Sequence, residues 1–481
     1  MPSISILVAG LVLVAYLVGF LWRRLTSPLW SVPGPFSSRF TSLSLRQQEF
    51  SANRTSYIHS LHQKYGPVVR IAPNEVSFAS YEAVKEIYGS LGSGYDKSPF
   101  YDLFTVFGKR TMFSTLDKGN HAKRKRLLAD RYANSNVMKP ASLDGIKSLA
   151  TEFARQCGAS SGTQSVDIYT ALHAFACDGV THHLFHPHGT DCLRNPTDLE
   201  MMHQVNADDS LASRLLMLHA PTLYNCASAI IDRIVEPRAT PLADNFVLQA
   251  AAREDPSDFT LLARLRSKLG DALGADDIAA ECLDHMVAGI DTTGDVLCFL
   301  MWELSQPRSA SVQAAMREEM RRLHDAPTLD GLPYLDAVVH EGLRCFPAIP
   351  MSLPRLVPPG GSIVDGVPVP EGTVVSCQAY SVQRLNHCVF PEPDRFDPTR
   401  WLQPKGDAER KRHLFAFSHG GRGCVGKHLA LAEMKLLLRE VYSRYGSVPA
   451  AGMTEESMSP HDQIISARPR GQKCLLRFVP V

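Results

Sequence analysis

The feature that most constrains this 481-residue chain is a loop near its carboxyl end, which reads F-S-H-G-G-R-G-C-V-G over residues 417–426. A helical pattern follows from Lys427 to about Tyr442, so Cys424 is predicted to lie just before a helix N-terminus. The unpaired N–H groups and the dipole of a helix start favour a thiolate over a thiol. Because a thiolate is the form of cysteine that binds a metal, the loop predicts a cysteine metal ligand.

The rest of the loop fits a flat ring system. Glycines at 420, 421, 423 and 426 let the backbone approach such a ring without Cβ clashes, and Arg422 supplies a cation for a carboxylate. Phe417 is expected to pack near the sulfur and keep water away from it. A chance match to F-x-x-G-x-R-x-C-x-G is expected in only about one in 10⁴ chains of this length, which disfavours an ordinary glycine-rich loop with a buried cysteine.

This pattern resembles the haem-binding signature of the cytochrome P-450 family, and the resemblance covers the chain from Pro33 onward. It implies a mainly α fold with small β-sheets (α+β), in the triangular haem-binding form of that family. The implied cofactor is haem b, with Cys424 as the axial thiolate ligand of the iron. The resemblance places four further loop residues at the cofactor: Phe417, Gly420, Arg422 and Gly426.

A second irregularity is the sequence A-G-I-D-T-T-G at residues 288–294, which interrupts a long apolar pattern. The pattern predicts one helix that begins at Asp276 or Asp277, either of which suits an N-cap, and ends at Ser305. Two glycines inside a helix cost about 1 kcal/mol each relative to alanine. Such a local violation indicates a functional segment.

Asp291 and Thr292 are the catalytic candidates of this segment. The pair can relay the protons that reductive cleavage of dioxygen needs, while Gly289 is expected to leave space over the haem and the Thr292 hydroxyl to bond back to a helix carbonyl. The residues alone leave open a plainer alternative, in which Asp291 is a solvated charge and the threonines only pack. The segment is similar to the oxygen-activation motif of the family, which favours the relay.

A helix predicted over residues 333–345 carries the sequence E-G-L-R. Glu341 and Arg344 are three residues apart and share a face of that helix. In the family an E-x-x-R sequence pairs with the arginine of a later P-x-R-F, and residues 393–396 read P-D-R-F here. The resemblance therefore implies a buried structural triad of Glu341, Arg344 and Arg395.

Cations for the two haem propionates are expected at Arg355 and in the segment H-A-K-R-K-R that begins at His121. Family members commonly have Trp or His followed four residues later by Arg, whereas Lys125 stands at that position here. Lysine lacks the bidentate geometry of arginine, so Arg124 and Arg126 compete with Lys125 for the contact. The alternative is a solvated basic helix face.

The amino end predicts a membrane anchor. Residues 4–22 carry no charge and, at about 1.5 Å rise per residue, just span a hydrocarbon layer roughly 30 Å thick. Arg23 and Arg24 follow the apolar run, whereas a cleaved signal peptide would carry its charges before it. We expect a single-pass anchor over residues 1–24, an extended Pro/Gly-rich hinge over 25–40 and a catalytic domain over 41–481 on the cytoplasmic face of the endoplasmic reticulum.

Composition excludes several functions. The net charge of +1 argues against nucleic-acid binding, and eleven scattered cysteines without a C-x-x-C pair argue against a disulfide framework. No glycine-rich loop for a flavin or nicotinamide is found, so NADPH is expected to act only through a separate NADPH-cytochrome P-450 reductase, with cytochrome b5 as a further electron donor. A basic patch that includes Lys123, Lys411, Arg412 and Lys427 is expected to dock that partner.

Together with the resemblance, the sequence favours a microsomal haem-thiolate monooxygenase that activates O₂ and oxidises a lipophilic small molecule, and general similarity to family members implies a role in fungal secondary-metabolite biosynthesis. The alternatives within the fold are oxidative coupling, dehydration or isomerisation, and a non-catalytic haem carrier is least favoured.

Asp365-Gly366 and Glu371-Gly372 each interrupt a run rich in Val and Ile, which predicts two β-hairpins. The resemblance implies a mostly apolar substrate wall from residues 99–113, 200–235, 287–288, 346–353 and 464–465, and the alternative is that these residues are ordinary core.

Overall fold

A computed structural model describes residues 2–92, 94–159, 164–206, 210–235, 239–269, 274–323 and 329–481. Its helices are α1 (Pro2–Leu25), α2 (Leu43–Phe50), α3 (Arg54–Tyr65), α4 (Tyr81–Val84), α5 (Lys118–Leu128), α6 (Asn134–Val137), α7 (Pro140–Ala159), α8 (Ile168–Phe185), α9 (Pro196–Asn206), α10 (Leu211–His219), α11 (Pro221–Ile231), α12 (Pro241–Ala252), α13 (Leu261–Leu269), α14 (Ala275–Ser305), α15 (Ala310–Arg322), α16 (Pro333–Cys345), α17 (Ala379–Val382), α18 (Asp407–His413) and α19 (Lys427–Tyr442).

The strands are short and belong to small sheets. They are β1 (Val68–Ala72), β2 (Glu75–Phe78), β3 (Asp96–Lys97), β4 (Val166–Asp167), β5 (Arg355–Leu356), β6 (Ser362–Val364), β7 (Val367–Val369), β8 (Val374–Cys377), β9 (Tyr445–Pro449), β10 (Pro460–Asp462), β11 (Ala467–Pro469) and β12 (Leu475–Pro480). The expected mainly helical α+β fold is confirmed.

Helix α14 forms the axis of the core. Residues 293–305 are all buried, which is the state expected of a helix that is apolar on every side. Helix α8, buried along most of its length, packs against α14. Two glycines permit this close approach, because a Cβ at Gly289 would lie 2.6 Å from Val180 and a Cβ at Gly294 would lie 2.7 Å from His173.

The largest sheet has the strand order β1-β2-β8-β5-β3. Strands β6 and β7 form the hairpin expected at residues 365–366, where both turn residues have positive φ, as a two-residue hairpin turn requires. The prediction of a second hairpin, at residues 371–372, is wrong. Strand β8 leaves that turn to pair with β2 in parallel and with β5 antiparallel, because its mostly buried residues occupy the middle of the sheet.

Helix α1 has the length and apolarity of a membrane span. Its stretch Ile6–Leu25 has a mean hydropathy of 2.2 and buries none of its side chains against the protein. The long apolar helix expected at the amino end is therefore confirmed, and it ends at the two arginines at positions 23 and 24. An exposed apolar helix of this length is consistent with a membrane anchor.

The segment after α1 is not the extended hinge that its prolines and glycine indicate. It forms two 3₁₀ turns, Pro28–Ser31 and Phe36–Arg39, and buries Leu29 and other apolar side chains against the body. The Arg70 side chain donates to the Leu29 carbonyl at 3.1 Å. Gly34 packs directly on Arg70, since a Cβ there would lie 2.4 Å from the Arg70 carbonyl oxygen. The anchor thus joins the body through a packed segment.

Candidate active site

Cys424 lies in the wall of a cavity of about 230 Å³, called the cysteine cavity here. The wall is built from the 417–426 loop, the first turns of α19, the middle of α14 and strand β3. Of the predicted cofactor residues, Phe417, Gly426 and the side chains of His121 and Arg355 also line it. The predicted cofactor residue Arg422 lines it too. Other polar side chains of the wall include Lys97, Asp284, His285, Thr292, Thr293 and Glu433.

The loop holds Cys424 through its own backbone. The Cys424 N–H donates to the Phe417 carbonyl at 2.9 Å, and Gly426 is the N-cap of α19, so the predicted place of the cysteine before a helix start is confirmed. Position 420 requires glycine for a different reason from the one predicted. It lies outside the wall of the cysteine cavity, and a Cβ there would lie 2.1 Å from the Tyr88 carbonyl oxygen, so this glycine lets the loop pack on the backbone.

The pKa of the Cys424 thiol is set by two opposing effects. Cys424 is accessible from the cavity, yet the protein around its sulfur desolvates it and raises the pKa of the thiol above its ordinary value. The backbone N–H groups of Gly426 and Lys427 and the charge of Lys125 lower that pKa, but by less. The helix start therefore favours the thiolate, as predicted, but its effect on the pKa is smaller than that of desolvation. A bound metal ion reverses the balance, because a coordinating thiol loses its proton outright.

Basic side chains crowd one another in the cysteine cavity. Burial first, and then the charges of Arg355 and Arg422, hold the pKa of Lys97 well below its ordinary value. Burial, followed by Lys97 and Arg422, lowers the pKa of His121 to about 3. Burial, followed by Arg355, lowers the pKa of Arg422 to about 10. Such mutual repulsion indicates that an anion belongs among these groups.

Arg422 gives the sharpest test of what that anion is. Its side chain is 1% exposed and pairs with Asp96 at 3.3 Å, and its Nη2 donates to the Leu116 carbonyl at 2.8 Å. Its Nε and Nη1 atoms are buried without a hydrogen-bond partner in the described part of the chain. Buried donors are normally paired. Two carboxylates on a flat cofactor, facing Arg422 and the neighbouring cations, fit these donors and this charge.

Lys97 is a cavity residue that sequence reasoning missed. It is buried in strand β3, donates to the Phe113 carbonyl and lies over the Tyr101 ring, with its Nζ 4.4 Å from the ring centroid. The two-residue strand β3 pairs with β5, which places Lys97 opposite Arg355. A single lysine in a polar stretch gives no local sign of burial, so only the pairing of the strands could have found it.

The basic residues of α5 make different contacts. Arg124 pairs with the buried Glu281 at 2.9 Å, and Arg126 is exposed. Lys125 lies outside the wall of the cysteine cavity and donates to the carbonyls of Gly421 and Gly423, at 3.0 and 2.6 Å. Lys125 thus fastens α5 to the cysteine loop, and His121 is the residue of this segment that reaches the cavity.

Helix α14 passes through the predicted oxygen-activation segment without a break. The Thr292 hydroxyl donates to the Ala288 carbonyl at 2.7 Å, as expected. The N-cap is Gly274, and Asp276 and Asp277 stand in the first turn, so the capping expectation is wrong by two or three residues. Gly289 lines the cysteine cavity, but its missing Cβ makes room for Val180 of α8, which corrects the expectation that it leaves space for a cofactor.

A second and larger cavity, of about 480 Å³, adjoins the same segment of α14, and we call it the large cavity. Thr292 and Ala288 line both cavities, whereas Asp291 lines the large one. The predicted substrate segments meet there: its wall includes Phe104, Phe107, Met217, Val287, Ile349 and Ile464. The wall is less apolar than expected, because it also contains Arg214, Asp244, Asp295 and Arg468.

Asp295 belongs to a buried polar group behind this wall. Its Oδ1 lies 3.5 Å from Nε2 of the fully buried His173, whose Nδ1 donates to the Tyr169 carbonyl at 2.7 Å. Burial lowers the pKa of His173, but the Asp295 carboxylate, aided by Asp291, outweighs it and raises that pKa. Burial also raises the pKa of Asp295. A buried pair of an imidazole and a carboxyl group that share protons therefore lies one helical turn from Asp291.

The third member of the structural triad is a different arginine from the one predicted. Glu341 and Arg344 are both fully buried and joined at 2.8 Å. Arg400 completes the group, with its Nε 3.0 Å from the Glu341 carboxylate. Arg395 is wrong as the third member, because its side chain is 66% exposed and pairs with Glu392, and only its backbone carbonyl accepts from Arg344.

The chain matches the family model "Cytochrome P-450" over residues 33–475. The cytochrome P-450 monooxygenase stcB of Emericella nidulans is 31% identical over 472 residues, which cover 94% of this chain and 88% of that protein. The monooxygenases cypX of Dothistroma septosporum and aflV of Aspergillus parasiticus are each 29% identical, over 98% of this chain and 96% and 95% of their own lengths. This chain therefore belongs to the cytochrome P-450 family.

Proposed function

We propose that this cytochrome P-450 monooxygenase binds haem through Cys424 in the cysteine cavity and oxidises a small molecule held in the large cavity, as a step of fungal secondary metabolism. One observation carries this proposal. Thr292 lies in the wall of both cavities, so the oxygen-activation segment of α14 stands between the cysteine and the space for a substrate. The fungal monooxygenases to which the chain is similar support the biosynthetic role.

Three kinds of contact would hold the haem. Cys424 would bind the iron, Phe417 would shield its sulfur, and the buried cations Lys97, Arg355 and Arg422, with the neutral His121 as a further hydrogen-bond donor, would take the two propionates. Bound haem supplies the reductive activation of dioxygen and the transfer of one oxygen atom to the substrate. The cavity supplies desolvation, which strengthens the attraction between these cations and the carboxylates.

Asp291 and Thr292 supply protons from the side of the substrate. The Ala288 carbonyl fixes the Thr292 hydroxyl, so the hydroxyl oxygen stays next to the cysteine cavity, where it can accept and pass on a proton. Asp291, the preceding residue, is in the wall of the large cavity and brings a titratable group to the same point. Rearrangements that insert no oxygen need no such pair.

Electrons reach the haem from outside the chain. We infer an NADPH-dependent reductase as the donor, with cytochrome b5 as a second donor, docking on the exposed Lys123 and Lys427. Lys411 and Arg412 contribute less than expected to a positive surface, because each forms an ion pair within α18, with Asp407 and Glu409 respectively. Helix α1 would hold the protein in the endoplasmic reticulum, with the two arginines after it on the cytoplasmic side.

The function is tested by a reduced-plus-carbon-monoxide difference spectrum of the membrane fraction and by turnover under ¹⁸O₂. Compounds for turnover are chosen as those that give a substrate-binding difference spectrum. We expect the strongly red-shifted band of a thiolate-bound haem, and one ¹⁸O atom in the product by mass spectrometry. A product with no label would favour coupling, dehydration or isomerisation.

Replacing Asp291 by asparagine should uncouple turnover. Asparagine keeps the size of the side chain but has no titratable proton to transfer, so we expect oxidised product to fall by about 10²-fold while more of the NADPH consumed ends as hydrogen peroxide. The control is Asp244→Asn, which changes another carboxylate of the large cavity, one that accepts from Thr240 at 3.2 Å. Product and peroxide at wild-type levels in Asp291→Asn would show that Asp291 takes no part in proton transfer.

Replacing Lys97 by methionine should weaken haem retention without unfolding the protein. Loss of one buried, charge-assisted contact to a propionate costs about 1.5–3 kcal/mol, which corresponds to haem dissociation faster by about 10- to 100-fold. Dissociation is followed by transfer of haem to excess apomyoglobin. The exposed Lys85 provides the control variant, Lys85→Met, and equal dissociation rates for the two variants would exclude Lys97 as a propionate contact.

A further inference from the structure

The turn between strands β10 and β11 forms one side of the large cavity. Residues 463–466 all line that cavity, and the turn is closed by the Gln463 N–H, which donates to the Ser466 carbonyl at 2.7 Å. Asp462 comes immediately before the turn and is the last residue of β10. It is buried, but it is not part of the wall of the large cavity. The place of Asp462 therefore governs where the turn lies.

Asp462 is fastened to the start of helix α3. Its Oδ2 accepts from the Thr55 N–H at 2.7 Å, and its own N–H donates to the Ala52 carbonyl at 3.1 Å. The first N–H groups of a helix need acceptors. The N-cap residue Asn53 supplies none with its side chain, whose amide donates to Gln48 instead. A carboxylate 407 residues away in the chain supplies the missing acceptor.

Helix α10 forms a second side of the large cavity, which Ser213 and Met217 line. This helix is thinly packed, because only Ser213 and Leu215 of its nine residues are buried. Its last residue, His219, pairs with Glu49 of α2, with Nε2 and Oε2 2.6 Å apart. Since few buried contacts hold α10, we expect this ion pair to contribute much of what keeps its end in place.

The two connections meet at Arg54, the first residue of α3. Arg54 pairs with Glu49 and with Glu75 of β2, each at 2.9 Å. Burial raises the pKa of Glu75, although the charge of Arg54 opposes this. Arg54, Glu49, His219 and Asp462 all lie outside the walls of both cavities. One charged group at the start of α3 thus holds two sides of the large cavity from behind.

The two connections respond to pH in opposite ways. Burial raises the pKa of Asp462 to about 6, against its hydrogen bonds to the start of α3 and the charge of Arg54. Burial also acts to raise the pKa of Glu49, but the hydrogen bond from His219, followed by the charges of Arg54 and Arg46, lowers it overall. Histidine is the side chain that ordinarily gains its charge as the pH falls from about 8 to about 5. Over that range the Asp462 connection loses a charge, while the Glu49 connection gains one.

We propose that the start of helix α3 positions two sides of the large cavity, the 463–466 turn through Asp462 and helix α10 through the Glu49–His219 pair, and so determines how tightly a bulky ligand is held. This inference rests on the proposed function, because it takes the large cavity as the space for the substrate. These side chains act through the wall and do not touch the substrate, so they are positioning residues.

Two azoles separate an effect on the wall from an effect on the haem. Imidazole and the bulky triaryl imidazole clotrimazole both bind haem iron through nitrogen, but only clotrimazole is large enough to press on the walls of a cavity of about 480 Å³. Asp462→Ala removes a charge-assisted hydrogen bond, so it should raise the dissociation constant of clotrimazole about tenfold. The constant for imidazole should stay within about twofold of wild type. Both are measured by spectral titration of the detergent-solubilised full chain.

The ion pair at the end of α10 is tested in the same way. His219→Gln keeps a donor for Glu49 but carries no charge, so it should raise the dissociation constant of clotrimazole about threefold. The matched control is His188→Gln, since His188 pairs with Asp255 at 2.7 Å and lines neither cavity. The control variant should bind both azoles as the wild type does.

The pH dependence distinguishes positioning by charge from a merely structural role. For clotrimazole, the ratio of the variant to the wild-type dissociation constant is compared at about pH 8 and about pH 5.5, so that protonation of the azole cancels. Asp462→Asn keeps an acceptor without a charge. Its ratio should be about three at the higher pH and approach one at the lower pH, where the wild-type carboxylate is itself protonated. The ratio for His219→Gln should change in the opposite direction.

Three outcomes would overturn the proposal while leaving the proposed function intact. Wild-type clotrimazole binding in both Asp462→Ala and Asp462→Asn would show that the wall does not depend on Asp462, and the asparagine variant decides this if the alanine variant does not fold. Equal weakening of clotrimazole and imidazole would place the effect at the haem. Ratios that do not change with pH, or that change in the same direction, would exclude the two charges. Failure of the proposed function would show separately, as wild-type protein without the carbon-monoxide band and without a nitrogen-bound spectrum in imidazole.

Discussion

Cys424→Ser is expected to abolish oxygen insertion and the red-shifted carbon-monoxide band together, while the protein remains folded. A serine hydroxyl stays protonated at neutral pH where the thiol can ionise on iron, so the variant loses both the ligand and its electron donation. The backbone of the loop should keep its conformation, because the bond from residue 424 N–H to the Phe417 carbonyl does not involve the side chain. The measurements are the difference spectrum, the haem content and labelled product.

Control variants separate the ligand from cysteine loss in general. Cys388 and Cys226 are both exposed thiols outside the cysteine cavity, so Cys388→Ser and Cys226→Ser should leave spectrum and turnover unchanged. Wild-type protein that stays colourless after haem supplementation, or a Cys424→Ser protein that keeps the red-shifted band, would contradict Cys424 as the iron ligand.

Local sequence was enough to place the reactive residues on their elements. The loop before α19, the hydroxyl bond of Thr292 and the helix over residues 333–345 each follow from a short local pattern of the sequence, and the structure has them as expected. Capping chemistry, helical periodicity and glycine placement act over short stretches of chain. Such features can be predicted without knowledge of what packs against them.

What could not be predicted depends on partners far along the chain. Gly289 and Gly420 were assigned to cofactor space, but the atoms that forbid a Cβ belong to Val180 and Tyr88, more than a hundred residues away. Lys97 enters the cavity only because β3 pairs with β5. The thiol of Cys424 has its pKa set by desolvation, which depends on the assembled cavity rather than on the helix start.

For the triad, the sequence motif predicted the correct segment of the chain but the wrong arginine. The pattern P-x-R-F identified the correct segment, since the carbonyls of Pro393 and Arg395 both accept from Arg344. The guanidinium that reaches Glu341 comes five residues later, where a 3₁₀ helix, Pro398–Leu402, turns Arg400 inward. Sequence spacing identifies a segment, but the direction of each side chain follows from the backbone that it belongs to.

Replacing Glu341 by alanine is expected to have the largest effect on stability. Its carboxylate accepts from Arg344, Arg400 and the Trp401 indole, at 2.8, 3.0 and 2.9 Å. Alanine would leave the guanidinium groups of Arg344 and Arg400 buried without their anion, at a cost of about 3–5 kcal/mol. The detergent-solubilised full chain should unfold at a much lower urea concentration, and most of it should fail to retain haem.

Arginine variants decide which residue completes the triad. Arg400→Ala should cost about 1.5–3 kcal/mol, the range for a hydrogen bond to a charged group, because the buried Glu341 keeps Arg344. Arg395→Ala should stay within about 0.5 kcal/mol of wild type, since it removes only an exposed pair with Glu392. If urea unfolding gave the reverse order, the arginine that pairs with Glu341 would be the one in P-x-R-F, and the arrangement of this segment would differ from the one described.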